Sequence, residues 1–329
     1  MEKNSFWKRL STNKVYSVLF IGAVCLVMIV IAIMVIKSIL SPAKPDGSVP
    51  ASESTSAAVT AAAVSSAAEE TTSASEPEKP EEKTDKLPSE DLSPLAEKLK
   101  EKTSKYDGDW SIYVCHLGTG ETLVQGSKPM YAASLIKLFC FGAIEIAVSE
   151  DKLKESEVRD LEKRMITQSD NFAFDALVEM LPDDYITEWC EKHGYTDTEQ
   201  NHCIGSEWAY QVERTAEQDN ATSVQDVGDL LVAAYKGEFV SEDISKKLVD
   251  LMLKQEVRTK IPASLPKNVK CANKTGETDD VCHDSAIVWS DGGDYVVVIM
   301  SEIIGTGWTG DPYVRELSKT VYNYFNPKK

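Results

Sequence analysis

Residues 134–148, SLIKLFCFGAIEIAV, are apolar on nearly every side of a helical wheel. A helix of that kind has no solvent face of its own, so other elements must enclose it at the centre of a domain. A charged residue in the run has no ordinary place in a core. Lys137 lies three positions after Ser134, on the same face of the helix.

The enclosing layers have to come from the chain beyond residue 92. From Ser41 to about Asp91 the chain is rich in Ala, Ser, Thr, Pro and Glu and nearly without large apolar side chains. Such a stretch cannot bury enough surface to offset its ordering entropy, and residues 37–92 read as a disordered stalk. Before it, residues 15–36 form an uncharged apolar run of 22 residues. At about 1.5 Å per residue that run spans the roughly 30 Å hydrocarbon core of a bilayer. Lys3, Lys8, Arg9 and Lys14 precede it, which places residues 1–14 in the cytoplasm and residues 93–329 outside the cell membrane. An uncleaved anchor is expected rather than a signal peptide, because the run is overlong and no clear cleavage site comes after it.

A net charge of −18 argues against nucleic acid as a partner. Cys25 falls inside the apolar run, and six cysteines lie beyond it. In an oxidising compartment six thiols permit disulfides, in any of 15 pairings. Cys271 and Cys282, which bracket Lys274-Thr-Gly276, are candidates to clip a hairpin there. Zinc at Cys190-x-x-His193 with His202-Cys203 is set aside, because the spacing fits no metal motif. No cofactor or metal is expected.

From Ser93, Ser-Pro-Leu predicts an N-cap and a helix start. Residues 110–116 alternate as a strand, 117–120 turn, and 121–125 return. A helical middle comes next, then strands near 270–275, 284–289 and 295–301, and a final helix capped by Asp311-Pro312 and running to about Phe325. Strands at both ends with helices between predict one antiparallel sheet with a helical lobe beside it, an α/β or α+β domain.

Three short strings give this frame a chemistry: Ser134-Leu-Ile-Lys137, Ser169-Asp-Asn171 and Lys274-Thr-Gly276. Ser-x-x-Lys also occurs at Ser11, Ser41 and Ser264, but only Ser134 opens a buried helix. Burial disfavours the ammonium form, which makes Lys137 a candidate general base toward Ser134. Ser169-Asp-Asn171 lies between two helices, where capping alone would explain it. Lys274-Thr-Gly276 ends a predicted strand, where an ordinary hairpin turn would also explain it, and offers a positive charge for a substrate carboxylate, the Thr275 hydroxyl and a glycine against which a substrate backbone can lie.

In this order the strings resemble those of class A β-lactamases and penicillin-binding proteins. The resemblance covers residues 93–329 and implies a five-stranded antiparallel sheet with a helical lobe, and acylation of Ser134 by an amide followed by hydrolysis. It implies that Ser169 relays a proton between Lys137 and the leaving group. Asn171 would bind a substrate amide while Asp170 braces the loop, and the N–H groups of Ser134 and Glu277 would form the oxyanion hole. Class A enzymes activate water with a glutamate that has an asparagine four residues later. Glu207, 36 residues after Asn171, stands in the matching region, with Gln211 in place of the asparagine. Two departures stand out. Only 35 residues separate Ser134 from Ser169, which trims the helical lobe, and an acidic residue, Glu277, comes directly after the glycine.

Three functions compete on this sequence. The first is a membrane-anchored extracytoplasmic hydrolase of β-lactams. The second is a DD-peptidase-like enzyme, or another cell-wall amide or ester hydrolase, acting on a peptidoglycan stem peptide; such peptidases lack the dedicated water-activating glutamate. The third is a non-catalytic wall-binding pseudoenzyme. A sensor reading is disfavoured because 14 residues before the anchor are too few for a cytoplasmic signalling domain.

Overall fold

The computed structural model describes residues 91–205, 219–303 and 310–327. All belong to the second of the two units into which the chain divides, 80–329. The apolar run at 15–36 and nearly all of the stalk lie outside the described residues. Among the described residues no helix is long and apolar enough to cross a membrane.

The elements in chain order are α1 (Ser93–Thr103), β1 (Asp109–His116), β2 (Thr122–Gln125), β3 (Met130–Tyr131), a 3-10 turn (Ala133–Leu135), α2 (Ile136–Ser149), α3 (Glu155–Thr167), α4 (Asn171–Val178) and α5 (Tyr185–Lys192). They continue as β4 (Ala221–Thr222), α6 (Val224–Lys236), α7 (Glu242–Met252), α8 (Ile261–Ser264), β5 (Lys270–Glu277), β6 (Cys282–Trp289), β7 (Tyr295–Glu302) and α9 (Asp311–Phe325). β3 and β4 form a small separate ribbon. The main sheet has five strands, all antiparallel, in the order β2-β1-β7-β6-β5. β1 lies against β7 over its whole length, from Asp109 opposite Glu302 to His116 opposite Tyr295. This pairing is how the two ends of the domain close on each other.

The sheet is covered on both faces, which explains why β7 reads YVVVIM without polar alternation. Val296, Val298 and Met300 pack into the helical lobe, whereas Tyr295, Val297 and Ile299 pack beneath α1 and α9. The expectation of a lobe on one side is thus extended by a second helical layer. α2 is buried from Ile136 to Glu145, as its all-round apolar sequence requires. A Cβ at Gly142 would fall 2.5 Å from the Trp189 ring and 2.6 Å from that of Phe239, so glycine is what lets these rings meet α2.

Two predicted caps move. Asp91, not Ser93, closes the start of α1, its Oδ1 accepting from Ser93 N at 3.0 Å. Asp311 is the first residue of α9 rather than its cap, and it faces Lys260 at 3.6 Å. The Cys271–Cys282 clip does not form. Lys274-Thr-Gly276 is strand rather than turn, Cys271 sits opposite Val288, and Cys282 sits opposite Glu277. Six strand positions separate those rungs, about 20 Å, far beyond disulfide reach. All six cysteines of the domain are free.

α6 rests on the sheet through Gly228, where an added Cβ would meet the buried Tyr113 ring at 2.5 Å. Gly228→Ala should therefore overpack this contact and destabilise the domain by about 1–3 kcal/mol. A denaturant midpoint equal to that of the unmodified protein would refute the packing account.

Candidate active site

Ser134 sits in the 3-10 turn that leads into α2. Ala133 before it has φ +44°, a left-handed conformation that costs an alanine energy and persists only where the surroundings enforce it. Those surroundings are visible. Ala132 N donates to Asn220 O at 2.7 Å, and Tyr131 O accepts from His283 Nε2 at 2.9 Å. His283 Nδ1 in turn accepts from Ser301 N at 3.2 Å, so its partners define a neutral ring protonated at Nε2. Complete burial agrees, pushing its pKa down to about 4. From the other side comes β5, where a Cβ on Gly276 would lie 3.1 Å from Ser134 N and 3.2 Å from Ala132 O. Glycine is needed there for the edge strand to approach the serine.

Lys137 is fully buried, and its Nζ has three neighbours: Ser169 O and Asn171 Oδ1, both at 2.6 Å, and Ser134 Oγ at 3.0 Å. The first two can only accept. A neutral amine satisfies both with its two hydrogens and leaves its lone pair for the Ser134 hydroxyl. Burial brings the Lys137 pKa down to about 7, against the opposing pull of Asp170 and Asp175. The lysine is thus poised to take a proton near neutrality.

Ser169 has φ +58° and presents two different groups. Its carbonyl faces Lys137, while its Oγ accepts from Lys274 Nζ at 2.8 Å. Its expected hydroxyl contact to Lys137 is therefore a carbonyl contact, and the hydroxyl is held by Lys274. Asp170 caps α4 by accepting from Ala173 N at 3.1 Å, and its Oδ2 accepts from Arg164 Nε at 2.9 Å and Nη2 at 2.5 Å. That is the bracing role expected of it. Asn171 spends its amide oxygen on Lys137 and keeps its amide hydrogens. Lys274 also donates to Thr275 O at 2.7 Å, and both residues are buried. Burial, with Lys137 nearby, holds the Lys274 pKa well below its ordinary value.

The acidic residue after the glycine has a partner. Glu277 forms an ion pair with Lys260, whose side chain is fully buried, while its own remains 59% exposed. It also lines a cavity of about 540 Å3 in front of Ser134, together with Tyr131, Asn171, Ile204 and Asp219.

Glu207 and Gln211 lie outside the described residues, but both ends of their segment are placed. The chain leaves at Gly205, where Asp175 accepts from Ile204 N at 2.8 Å and Gly205 N at 2.9 Å. A Cβ on Gly205 would fall 2.8 Å from the Asn171 backbone. It returns through Asp219 to Asn220, whose Oδ1 accepts from Asn201 N and His202 N at 2.7 and 3.0 Å. His202 is turned to Asp219 and to Cys203 O, while His193 is stacked on Trp189. Among the described residues no group of three His, Cys, Asp or Glu could hold a metal ion.

Sequence reasoning missed Arg164, Asp175, Asn220, Lys260 and His283. Only Asp175, an acid inside the apolar stretch Phe172–Leu177, carried a visible signal.

Fold and site together define a serine hydrolase with the α/β serine β-lactamase fold. The Beta-lactamase enzyme family matches residues 94–164 and 148–325, and the chain belongs to that family. Among solved structures it is similar to PBP-A, at 22% identity and a TM-score of 0.64, over 72% of this chain and 97% of that one. A single-residue variant of PBP-A, solved as an acyl-enzyme complex with penicillin G, matches at 23% identity with the same TM-score, over 72% and 98%. A β-lactamase from Xanthomonas campestris matches at 18% identity and a TM-score of 0.61, over 69% and 96%. At these identities the similarity speaks for the fold. No curated protein matches the chain.

Because Lys137 must be neutral to accept a proton, acylation of Ser134 should rise with pH, through a midpoint near 7, to a plateau above it. Stopped-flow rates with a serine-directed acylating agent check this. A flat profile from pH 5 to about 9 would remove Lys137 as the base.

Proposed function

We propose that the chain is a membrane-tethered extracytoplasmic serine hydrolase that opens β-lactam amides through an acyl-enzyme on Ser134. One observation carries the reading: Ser134 Oγ faces a lysine whose hydrogens are committed to two acceptors at 2.6 Å. Lys137 takes the hydroxyl proton as Oγ bonds to the carbonyl carbon. The N–H groups of Ser134 and Glu277 hold the developing oxyanion, Gly276 having brought β5 close enough. The C–N bond then breaks, and the proton passes from Lys137 to the leaving nitrogen by way of the Ser169 hydroxyl, which for this step turns from its contact with Lys274 toward Lys137. Asn171 and the β5 edge at Thr275 and Gly276 align the acyl donor.

For deacylation we assign Glu207 as the base that activates water and Gln211 as the amide that holds it. The water's oxygen bonds to the ester carbonyl carbon as Glu207 takes its proton, and the C–Oγ bond then breaks as that proton is returned to Ser134 Oγ. The proposed organisation is 1–14 cytoplasmic, 15–36 spanning the cell membrane, 37–92 a stalk and 93–329 catalytic. The penicillin G acyl-enzyme of the PBP-A variant supports β-lactams as acyl donors on this fold.

Intact-mass spectrometry of the full chain mixed with penicillin G tests this. An adduct should form and clear as drug is consumed, and Ser134→Ala should abolish it. Glu207→Gln should lengthen the adduct's life by about 10²–10⁴-fold, the usual size of a general-base contribution. A lasting adduct in the unmodified protein would instead favour a DD-peptidase-like enzyme.

A further inference from the structure

Lys260 is a fully buried lysine that the acylation described above does not use. It stands at the entry to α8, where the next residue, Ile261, packs beneath the sheet and donates its N–H to Asp284 Oδ2 at 2.9 Å. Its ammonium forms an ion pair with Glu277 and lies 3.6 Å from Asp311 at the start of α9. Burial by itself would lower the Lys260 pKa, but the hydrogen bond to Glu277 and the nearby Asp284 raise it overall, so the group stays charged. A buried ammonium has to be paired, and Glu277 is the carboxylate to which this one donates.

Glu277 turns different groups to different sides of β5. That strand is at the edge of the sheet, bonded to β6 along one side. Thr278 N donates to Val281 O at 3.1 Å, so the alternation of an antiparallel pair directs the N–H of the preceding residue, Glu277, away from β6 and toward the open edge. Ser134 stands at that edge, its N 3.1 Å from where a Cβ on Gly276 would lie. The Glu277 side chain goes elsewhere. It leaves on the face shared with Cys271, which packs with residues of α1 and α9, and it ends on Lys260. A residue tied by its carboxylate to a buried group has little freedom about its own backbone, so the direction of its N–H is fixed as well.

We propose that Lys260 is a positioning residue for acylation: through its ion pair with Glu277 it fixes the direction in which the Glu277 N–H meets the oxyanion. This role rests on the acylation of Ser134 proposed above and adds to that site a side chain from beneath the sheet. It also gives the acidic residue after Lys274-Thr-Gly276 a purpose, as the tether by which the end of the edge strand is held. The effect is large because a group misplaced by about 1 Å can slow a reaction by as much as about 10²-fold.

The test uses the full chain in mild detergent with penicillin G as the donor. Stopped-flow acylation separates the apparent Kd from the limiting rate, and the rapid-scan infrared carbonyl band of the acyl-enzyme reports the hydrogen bonds its oxygen receives. Lys260→Met and Glu277→Ala should each slow the limiting rate about ten-fold or more, leave the apparent Kd nearly unchanged and move the band to higher wavenumber. Lys260→Arg, which keeps the pair, should recover most of both readouts. In the Lys260→Met, Glu277→Ala double variant the losses should not add, because both substitutions remove one interaction. If Lys260→Met does not fold, Glu277→Ala, which alters a side chain 59% exposed, decides the matter alone. A limiting rate and a carbonyl band unmoved in the folded variants would overturn the inference while leaving acylation intact. Rates that move in opposite directions in the two single variants would overturn it too, since they would mark an effect of charge rather than of placement. If penicillin G does not acylate Ser134 in the unmodified protein, the proposed function falls and the inference falls with it.

Discussion

The site depends on a lysine kept out of water. Holding Lys137 near pKa 7 instead of 10.5 withholds on the order of 5 kcal/mol of stabilisation from its ammonium form. The enclosing residues are those that make α2 a central helix, so the apolar run and the base are one device. A more exposed α2 would return the lysine to the protonated state, and Ser134 would lose its proton acceptor. The same burial holds the Lys274 pKa well below its ordinary value while its Nζ donates a hydrogen bond to Ser169.

Around that lysine the backbone is held under tension. Ala133 and Ser169 both adopt left-handed φ values, one immediately before the nucleophile and the other over Lys137. Neither residue type favours that conformation, and each is fixed by its neighbours, most of them from distant parts of the chain. His283 and Asn220 secure the nucleophile's turn, and Arg164 and Lys274 secure the Ser-Asp-Asn loop. The sheet serves as the frame that carries Lys274, Gly276 and His283 to their positions.

Much of this is legible in the amino-acid order alone, because local patterns report local physics. The all-round apolar run announces α2, alternation announces β1, and two of the three strings fall at helix starts while the third lies near the end of β5. The hidden part depends on partners far along the chain. Nothing near Glu277 says that a buried lysine 17 positions earlier neutralises it, nor that Ile204 and Gly205 hang from Asp175 about 30 residues before them. The cysteines mislead for a related reason. Bracketing a motif in sequence suggests proximity, whereas in a strand pair it places the two residues on separate rungs.

Asn220 performs two tasks with one residue. Its backbone oxygen fixes Ala132 beside the nucleophile, and its side chain ties down residues 201 and 202, where the chain departs toward Glu207. Asp175 secures the other side of that exit. The 13 residues between Gly205 and Asp219 are thus closed at a neck independent of their own content, and the entropy of closing them is already met. Doubling their length would cost only about 0.6 kcal/mol more. On the proposed mechanism, the step that forms the acyl-enzyme and the step that removes it are therefore separable in evolution: one is built into the frame, and the other hangs from it as an exchangeable cassette.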